Sequence, residues 1–272
     1  VQPGEGWPIS ERRCAVLHPK HVLIVIPARR LSRRLVDKPL RSLWHSTVIE
    51  HVVADVLASA GEAKVVLSTD SRKVAQAVEH VVEVCMTPGQ YRNGTERVAA
   101  TLDNYPEYQT ERDIIVNVQG DQLFVSNEHI EGAVEQVQAG FDVGTMAAKL
   151  LPDMLTNSNR VKVLIDDRKC LDFFRLESQS KEMRLYHPSS VVAHHLGIYA
   201  YRPQTLAQWI AWPKGHRESL WGLEQLRPLD HGMTFGAGET KVMRPQSVDS
   251  LEDLDRLRGM SVGDVFKLAA RA

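Results

Sequence analysis

The segment IPARRLSRRLVDKPL, residues 26–40, crowds Arg29, Arg30, Arg33, Arg34 and Lys38 directly behind an apolar run. Arginine presents a planar fork of donors that matches phosphate oxygens, and lysine adds a compact charge. A loop leaving a strand can also aim its backbone N–H groups at an anion. A solvated basic face is the plain alternative for any such cluster. Here the placement behind a strand argues for phosphate binding. Other suggestive strings carry less. GAGETK (236–241) lacks the third glycine of a dinucleotide fingerprint and the GK[ST] of a P-loop. Asp253-Leu254-Asp255 falls within an expected helix, where the two side chains diverge. His194-His195 has no further metal-ligand spacing around it, and no Ser-His-Asp or Cys-His nucleophile pattern is evident.

The elements that must position these residues alternate along the chain. HVLIVI (21–26), AKVVLSTD (63–70), VVEVCM (81–86) and DIIVNVQGD (113–121) read as buried strands, and Thr47 to Leu57 carries apolar residues at helical spacing. This alternation predicts an α/β fold with a mostly parallel, Rossmann-like sheet covered by helices on both faces. Ligands of such sheets gather beyond the carboxyl ends of the strands. PARRLSRR, Thr69-Asp70, RNGTER and QGD all fall at or soon after such ends. In the second half VGTMAAKL, RVKVLID, CLDFFRL and HHLGIYAYR suggest further strands, some antiparallel. Helices are expected over 203–211 and 217–228, a short strand over 241–244, and a closing helix over 250–260 capped by Ser250.

Composition narrows the class. Lys plus Arg is 33 against 34 for Asp plus Glu, so no basic footprint for nucleic acid is present. No apolar run nears the roughly 18–20 residues that span a bilayer, so membrane insertion is not expected. The N-terminal 1–20 reads as a polar extension without a signal-type apolar stretch. Three scattered cysteines, Cys14, Cys85 and Cys170, form neither a metal pair nor a disulfide framework, which favours a reducing cytoplasm.

Taken together, the motifs resemble those of the 3-deoxy-manno-octulosonate (Kdo) cytidylyltransferases. The family's IPAR-x-x-S-x-RLPGKPL is matched by Ile26 to Arg29, Ser32, Arg34-Leu35 and Lys38 to Leu40. Its CMT and SGTER segments correspond to Cys85-Met86-Thr87 and Asn93 to Arg97, and its VNVQGD to Val116 through Asp121. HLGIYGYR, LEQLR and VDTPEDL correspond to His195–Arg202, Leu223–Arg227 and Val248–Leu254. The resemblance runs collinearly over about residues 21–260. It implies a nucleotide-diphospho-sugar transferase-like fold, with a nucleotide-binding part at about 21–125. An acceptor-binding and dimerisation part of smaller, mixed structure would follow at about 126–240, and a closing segment at about 241–272. It further implies transfer of CMP from CTP to the anomeric hydroxyl of a 2-keto-3-deoxy sugar acid, with release of pyrophosphate.

By position, the resemblance assigns Pro27, Ala28, Arg29, Ser32, Arg34, Lys38, Thr95, Arg97 and Gln119 to the nucleotide. Asp121 and Asp249 would hold Mg²⁺, the expected cofactor, and Arg29 and Lys38 would join them in catalysis. Arg175, His195, Tyr199, Glu224 and Gln225 would surround the acidic sugar. A homodimer is implied as well. Four departures stand out: Val36 and Asp37 replace a Pro-Gly turn, and Gln122 and Leu123 replace Glu-Pro. Asp37 would oppose the triphosphate unless it points away. The stretch 176–188 also bears little likeness to the family. These departures leave two alternatives open, a different small acidic acceptor or a nucleotide-binding relative without catalysis.

Overall fold

A computed structural model describes residues 21–30, 35–175, 189–240, 245–261 and 263–264. The polar extension, Ser32, Arg33 and Arg34, the divergent 176–188 and the strand expected over 241–244 lie outside the described residues.

The elements run β1 (Val22–Ala28), β2 (Ser42–Leu43), β3 (Ser46–Thr47), α1 (Val48–Ser59), β4 (Lys64–Thr69), α2 (Arg72–Val78) and β5 (Glu83–Met86). Next come α3 (Gly94–Asn104), α4 (Glu107–Thr110), β6 (Ile114–Asn117), β7 (Gln122–Leu123), α5 (Asn127–Gln138) and β8 (Val143–Lys149). They are followed by α6 (Pro152–Thr156), β9 (Lys162–Asp166), β10 (Lys169–Phe174), β11 (Val191–Tyr201) and α7 (Pro203–Ala211). The last described elements are α8 (His216–Trp221), α9 (Leu226–Asp230), β12 (Phe235–Glu239), β13 (Gln246–Ser247) and α10 (Leu251–Arg258).

All seven residues of β1 are buried, as a strand covered on both faces requires. Its side chains alternate between two cores. Val22, Ile24, Ile26 and Ala28 meet α1, α2, α5 and α10, whereas Leu23 and Val25 meet α3 and α7. Helices therefore do cover both faces.

Among the described residues nine strands form one sheet, ordered β5-β4-β1-β6-β11-β8-β12-β10-β9. The expectation of a mostly parallel sheet is corrected here, because the sheet is mixed. β5, β4, β1 and β6 are parallel, but β11 runs antiparallel to β6, β8 and β9, and β10 runs antiparallel to β9 and β12. One cause is local. Only Asp167 and Arg168 join β9 to β10, both at positive φ, and so short a link forms a hairpin rather than a parallel crossover.

Two expected helices show how capping sets the site. α1 begins at Thr47, which forms a reciprocal capping box with Glu50. The helix expected over 217–228 is instead two, because Gly222 takes a left-handed conformation (φ 62°) and closes α8. Glu224 and Gln225 consequently sit in the bend between α8 and α9, not along a helix. No helix among the described residues is long and apolar enough to cross a membrane.

Candidate active site

The site forms where β1 and β6 end. The backbone N–H of Val118 donates to Val25 O and that of Gly120 to Pro27 O, at 3.1 and 3.2 Å, so the two ends stay locked together. Glycine is needed at 120, since a Cβ there would lie 2.9 Å from both Ala28 Cβ and Pro27 O. Asp121 follows at once and accepts a hydrogen bond from Lys38 Nζ.

Lys38 opens a single 3-10 turn, Lys38–Leu40, and its side chain is largely buried. The residue before it, Asp37, takes the left-handed conformation at φ 55° that suits the family's glycine, one that aspartate tolerates better than most residues. Its carboxylate accepts from Arg30 Nε at 2.7 Å. That bond holds its pKa below the usual carboxylate range and engages the charge that the sequence set against the triphosphate.

Asp249 reaches the same lysine, with Oδ1 3.6 Å from Lys38 Nζ. A two-strand ladder brings it there. β13 pairs antiparallel with β7, and the N–H of Val248 donates to Asp121 O at 3.0 Å. Directly after Asp249, Ser250 caps α10 in a box with Asp253. Two carboxylates far apart in sequence thus converge on one cation. Among the described residues no group of three or more His, Cys, Asp or Glu gathers to hold a metal. Two hard oxygen donors, with phosphate and water completing the shell, suit Mg²⁺, which takes few protein ligands.

Lys38, Asp121 and Asp249 line a cavity of about 620 Å³. Pro27, Ala28, Arg29 and Gln119 line it from the strand ends, and Arg97 from α3. Arg29 is exposed at its rim. Arg97 is almost fully buried and donates to Thr87 O and Oγ1 and to Asp70, tying the ends of β4 and β5 to α3. Thr95 does not reach the wall. It is fully buried, accepts from Asn117 Nδ2 at 3.2 Å and donates to Glu224 Oε1 at 3.0 Å. Because Gln119 Nε2 also donates to Asn117 Oδ1 at 3.0 Å, these residues link the two sides of the cavity.

Arg175, His195, Tyr199, Glu224 and Gln225 line the opposite side. Arg175 Nε donates to Trp221 O at 3.1 Å and its Nη1 to Ser158 O at 2.9 Å, which clamps the end of β10 to the end of α8 and to the turn before β9. His195 sits where β11 bulges, next to Gly197 at φ 74°. Thr145 Oγ1 donates to Ile198 O at 2.6 Å, so at 3.0 Å it accepts from His195 Nε2. That assignment puts the proton on Nε2 and leaves Nδ1 as the acceptor. Burial lowers the His195 pKa to about 3, so the ring is neutral. Burial likewise pushes Tyr199 well above the usual phenol range. Glu224 is raised to about 7, chiefly by burial, with Glu218 and Glu96 adding to the shift and the Thr95 hydrogen bond opposing it.

Several lining residues were given no site role by the sequence motifs. Gln122, read as a lost carboxylate beside the metal position, is buried and donates through Nε2 to Leu196 O, bracing the bulge of β11. Arg92 and Arg160 bring further cations to the wall. Arg92 could have been found from its place beside NGTER, whereas nothing local marks Arg160. A second cavity of about 600 Å³ surrounds Arg217, whose charge is already paired with Asp172 and Asp230, and it contains none of the motif residues.

The model of the cytidylyltransferase family matches residues 23–239. Among similar curated proteins is the 3-deoxy-manno-octulosonate cytidylyltransferase of Gemmatimonas aurantiaca, 38% identical over 86% of this chain and 92% of the relative. That of Yersinia enterocolitica is 33% identical over 88% of this chain and 97% of the relative. Among solved structures, CMP:2-keto-3-deoxy-manno-octonic acid synthetase complexed with CTP aligns with a TM-score of 0.75 and 29% identity, covering 88% of this chain and 97% of the other.

Proposed function

The chain belongs to the cytidylyltransferase family, and from that premise we propose that it transfers CMP from CTP to the anomeric hydroxyl of Kdo, releasing pyrophosphate. One observation carries the reading. Lys38, from the loop behind β1, stands between Asp121 and Asp249 in the same cavity that Arg175, His195 and Gln225 line from the far side. A triphosphate and a sugar acid can therefore meet there.

In this reading Arg29 and Lys38 bind the triphosphate by charge-assisted hydrogen bonds. Gln119 and the backbone at Pro27 and Ala28 meet the nucleoside. Asp121 and Asp249 would hold Mg²⁺, which when bound neutralises charge on the phosphate oxygens. Arg175 reads the acceptor carboxylate. Neutral His195, with Nδ1 unprotonated, accepts a hydrogen bond from a sugar hydroxyl, and Gln225 contacts another. No protein nucleophile is required, because the hydroxyl attacks the α-phosphorus directly once both substrates are aligned. The homodimer belongs to the same proposal and rests on the family resemblance.

The test is an assay of pyrophosphate release with CTP, Mg²⁺ and Kdo. Turnover is expected with Kdo, and it should disappear with EDTA and in both Asp121→Asn and Asp249→Asn. Absence of CTP-dependent pyrophosphate release with Kdo and with other 2-keto sugar acids would overturn the assignment.

A further inference from the structure

Arg160 enters the cavity from the turn before β9, on the side where Asp249 stands. Its Nη1 donates to Ser247 Oγ at 3.0 Å. Ser247 Oγ in turn donates to Asp249 Oδ2 at 3.0 Å. Its Nη2 lies 3.7 Å from Asp253 Oδ1, and the other oxygen of Asp253 accepts from the N–H groups of Asp249 and Ser250 at 3.1 Å. Arg160 thus grips both ends of the β13–α10 junction that carries Asp249. The two oxygens of Asp249 are thereby differentiated. Oδ2 is fixed by Ser247, while Oδ1 faces Lys38.

The turn that carries Arg160 is itself braced by hydrogen bonds. Lys162, fully buried, donates through Nζ to Asn157 O at 2.6 Å and to Arg175 O at 2.7 Å. Arg175 Nη1 donates back to Ser158 O. The turn 157–160 is therefore tied to Arg175, directly after β10, opposite the phosphate loop.

We propose that Arg160 is a positioning residue for Asp249, acting through Ser247 Oγ, and that Mg²⁺-assisted CTP binding depends on this relay. The inference rests on the reading of Asp249 as a metal ligand. A carboxylate that binds a metal through one oxygen gains orientation when its other oxygen is held by a hydrogen bond. A Ser hydroxyl has one proton, and the arginine fork directs that proton by occupying an acceptor site on Oγ.

Calorimetric titration of CTP without acceptor, with no metal and across a Mg²⁺ series, tests this apart from turnover. Arg160→Ala and Ser247→Ala should each raise the Mg²⁺ concentration at half-effect by about 10-fold, the low end for lost partners of metal ligands. Metal-free CTP affinity should not change. The double variant should match the single ones, because both remove one relay, and Arg160→Lys should restore part of the effect. Thermal unfolding of each variant checks that the fold survives, and Ser247→Ala leaves the Arg160–Asp253 pair intact. Weaker metal-free CTP binding in Arg160→Ala would make it a direct phosphate contact and overturn the relay, as would additive effects in the double variant. A wild-type protein whose CTP affinity ignores Mg²⁺, or an Asp249→Asn variant with an unaltered Mg²⁺ response, would instead overturn the role of Asp249 and the relay with it.

Discussion

Glu224 holds one carboxylate oxygen against Thr95 Oγ1, while the other is buried without a hydrogen-bond partner among the described residues. Its pKa, raised from 4.5 to about 7 by burial, makes the folded state prefer the protonated form. Between those values the folded protein binds more protons than the unfolded one, so this residue's contribution to stability falls as pH rises from 4.5 to 7. His195 acts oppositely. With its pKa lowered from 6.5 to about 3, its contribution falls as pH drops through that window. The two slopes offset each other near pH 5–6, so the wild-type curve alone does not reveal either. Glu224→Gln should be more stable than wild type at pH 8, with the advantage vanishing toward pH 4. Chemical denaturation at several pH values reads this difference. Equal stability difference at pH 4 and pH 8 would show that Glu224 is not held protonated.

At the scale of elements, the site depends on how closely β6 ends beside β1. Gly120→Ala would drive a Cβ into Ala28 and the Pro27 carbonyl, which are held by the sheet and cannot rotate away. The cost in stability should be about 1–3 kcal/mol. Because Asp121 is the next residue, turnover should fall by up to about 100-fold, the loss a displacement near 1 Å produces. Thermal unfolding and pyrophosphate release measure the two effects separately. Retention of wild-type turnover would mean that Asp121 keeps its place without the tight junction. Arg227 illustrates the opposite case, a motif residue with a structural task. Fully buried, it is bonded twice to Glu218 and lies 3.5 Å from Glu96, which joins α8 and α9 to α3.

Across the whole molecule, the parallel strands β4, β1 and β6 end on the side that carries Lys38 and Asp121, while β10 and β11 supply Arg175 and His195 from the antiparallel half. This division predicts separable variants. Lys38→Ala should weaken CTP binding by about 10- to 100-fold, the range for one charge-assisted hydrogen bond, with acceptor KM little changed. Arg175→Ala should raise acceptor KM over a similar range and leave metal-free CTP affinity near wild type. It should also lower Tm, since its guanidinium ties the carbonyl at the end of α8 to that of the turn before β9. Calorimetry with CTP and steady-state kinetics against the sugar acid distinguish the two. An Arg175→Ala effect confined to CTP would refute the division.

The strands β1, β4, β5 and β6, the cap of α10 and the clustering of motifs at strand ends were legible in the sequence. They depend on periodicity, capping residues and local turn chemistry, which act over a few residues. The motifs also carried the family resemblance, because they recur in order along the chain. Antiparallel strands were expected in the second half, but which strands pair, and in which direction, was not legible. Pairing of β11 with β8 on one edge and with β6 and β9 on the other joins residues far apart in the chain, and hydrophobic pattern does not specify strand direction. Distance along the chain also hid Arg160, whose partners Ser247 and Asp253 lie far away in sequence and which no local pattern marks. The split at Gly222 and the Arg30–Asp37 pair are local, and depend on a backbone conformation and a side-chain direction that residue types alone do not fix. Residue types determined which chemistry was available. Only the tertiary structure, through the β7–β13 ladder, decided that Asp121 and Asp249 face one lysine, because long-range backbone pairing sets that distance.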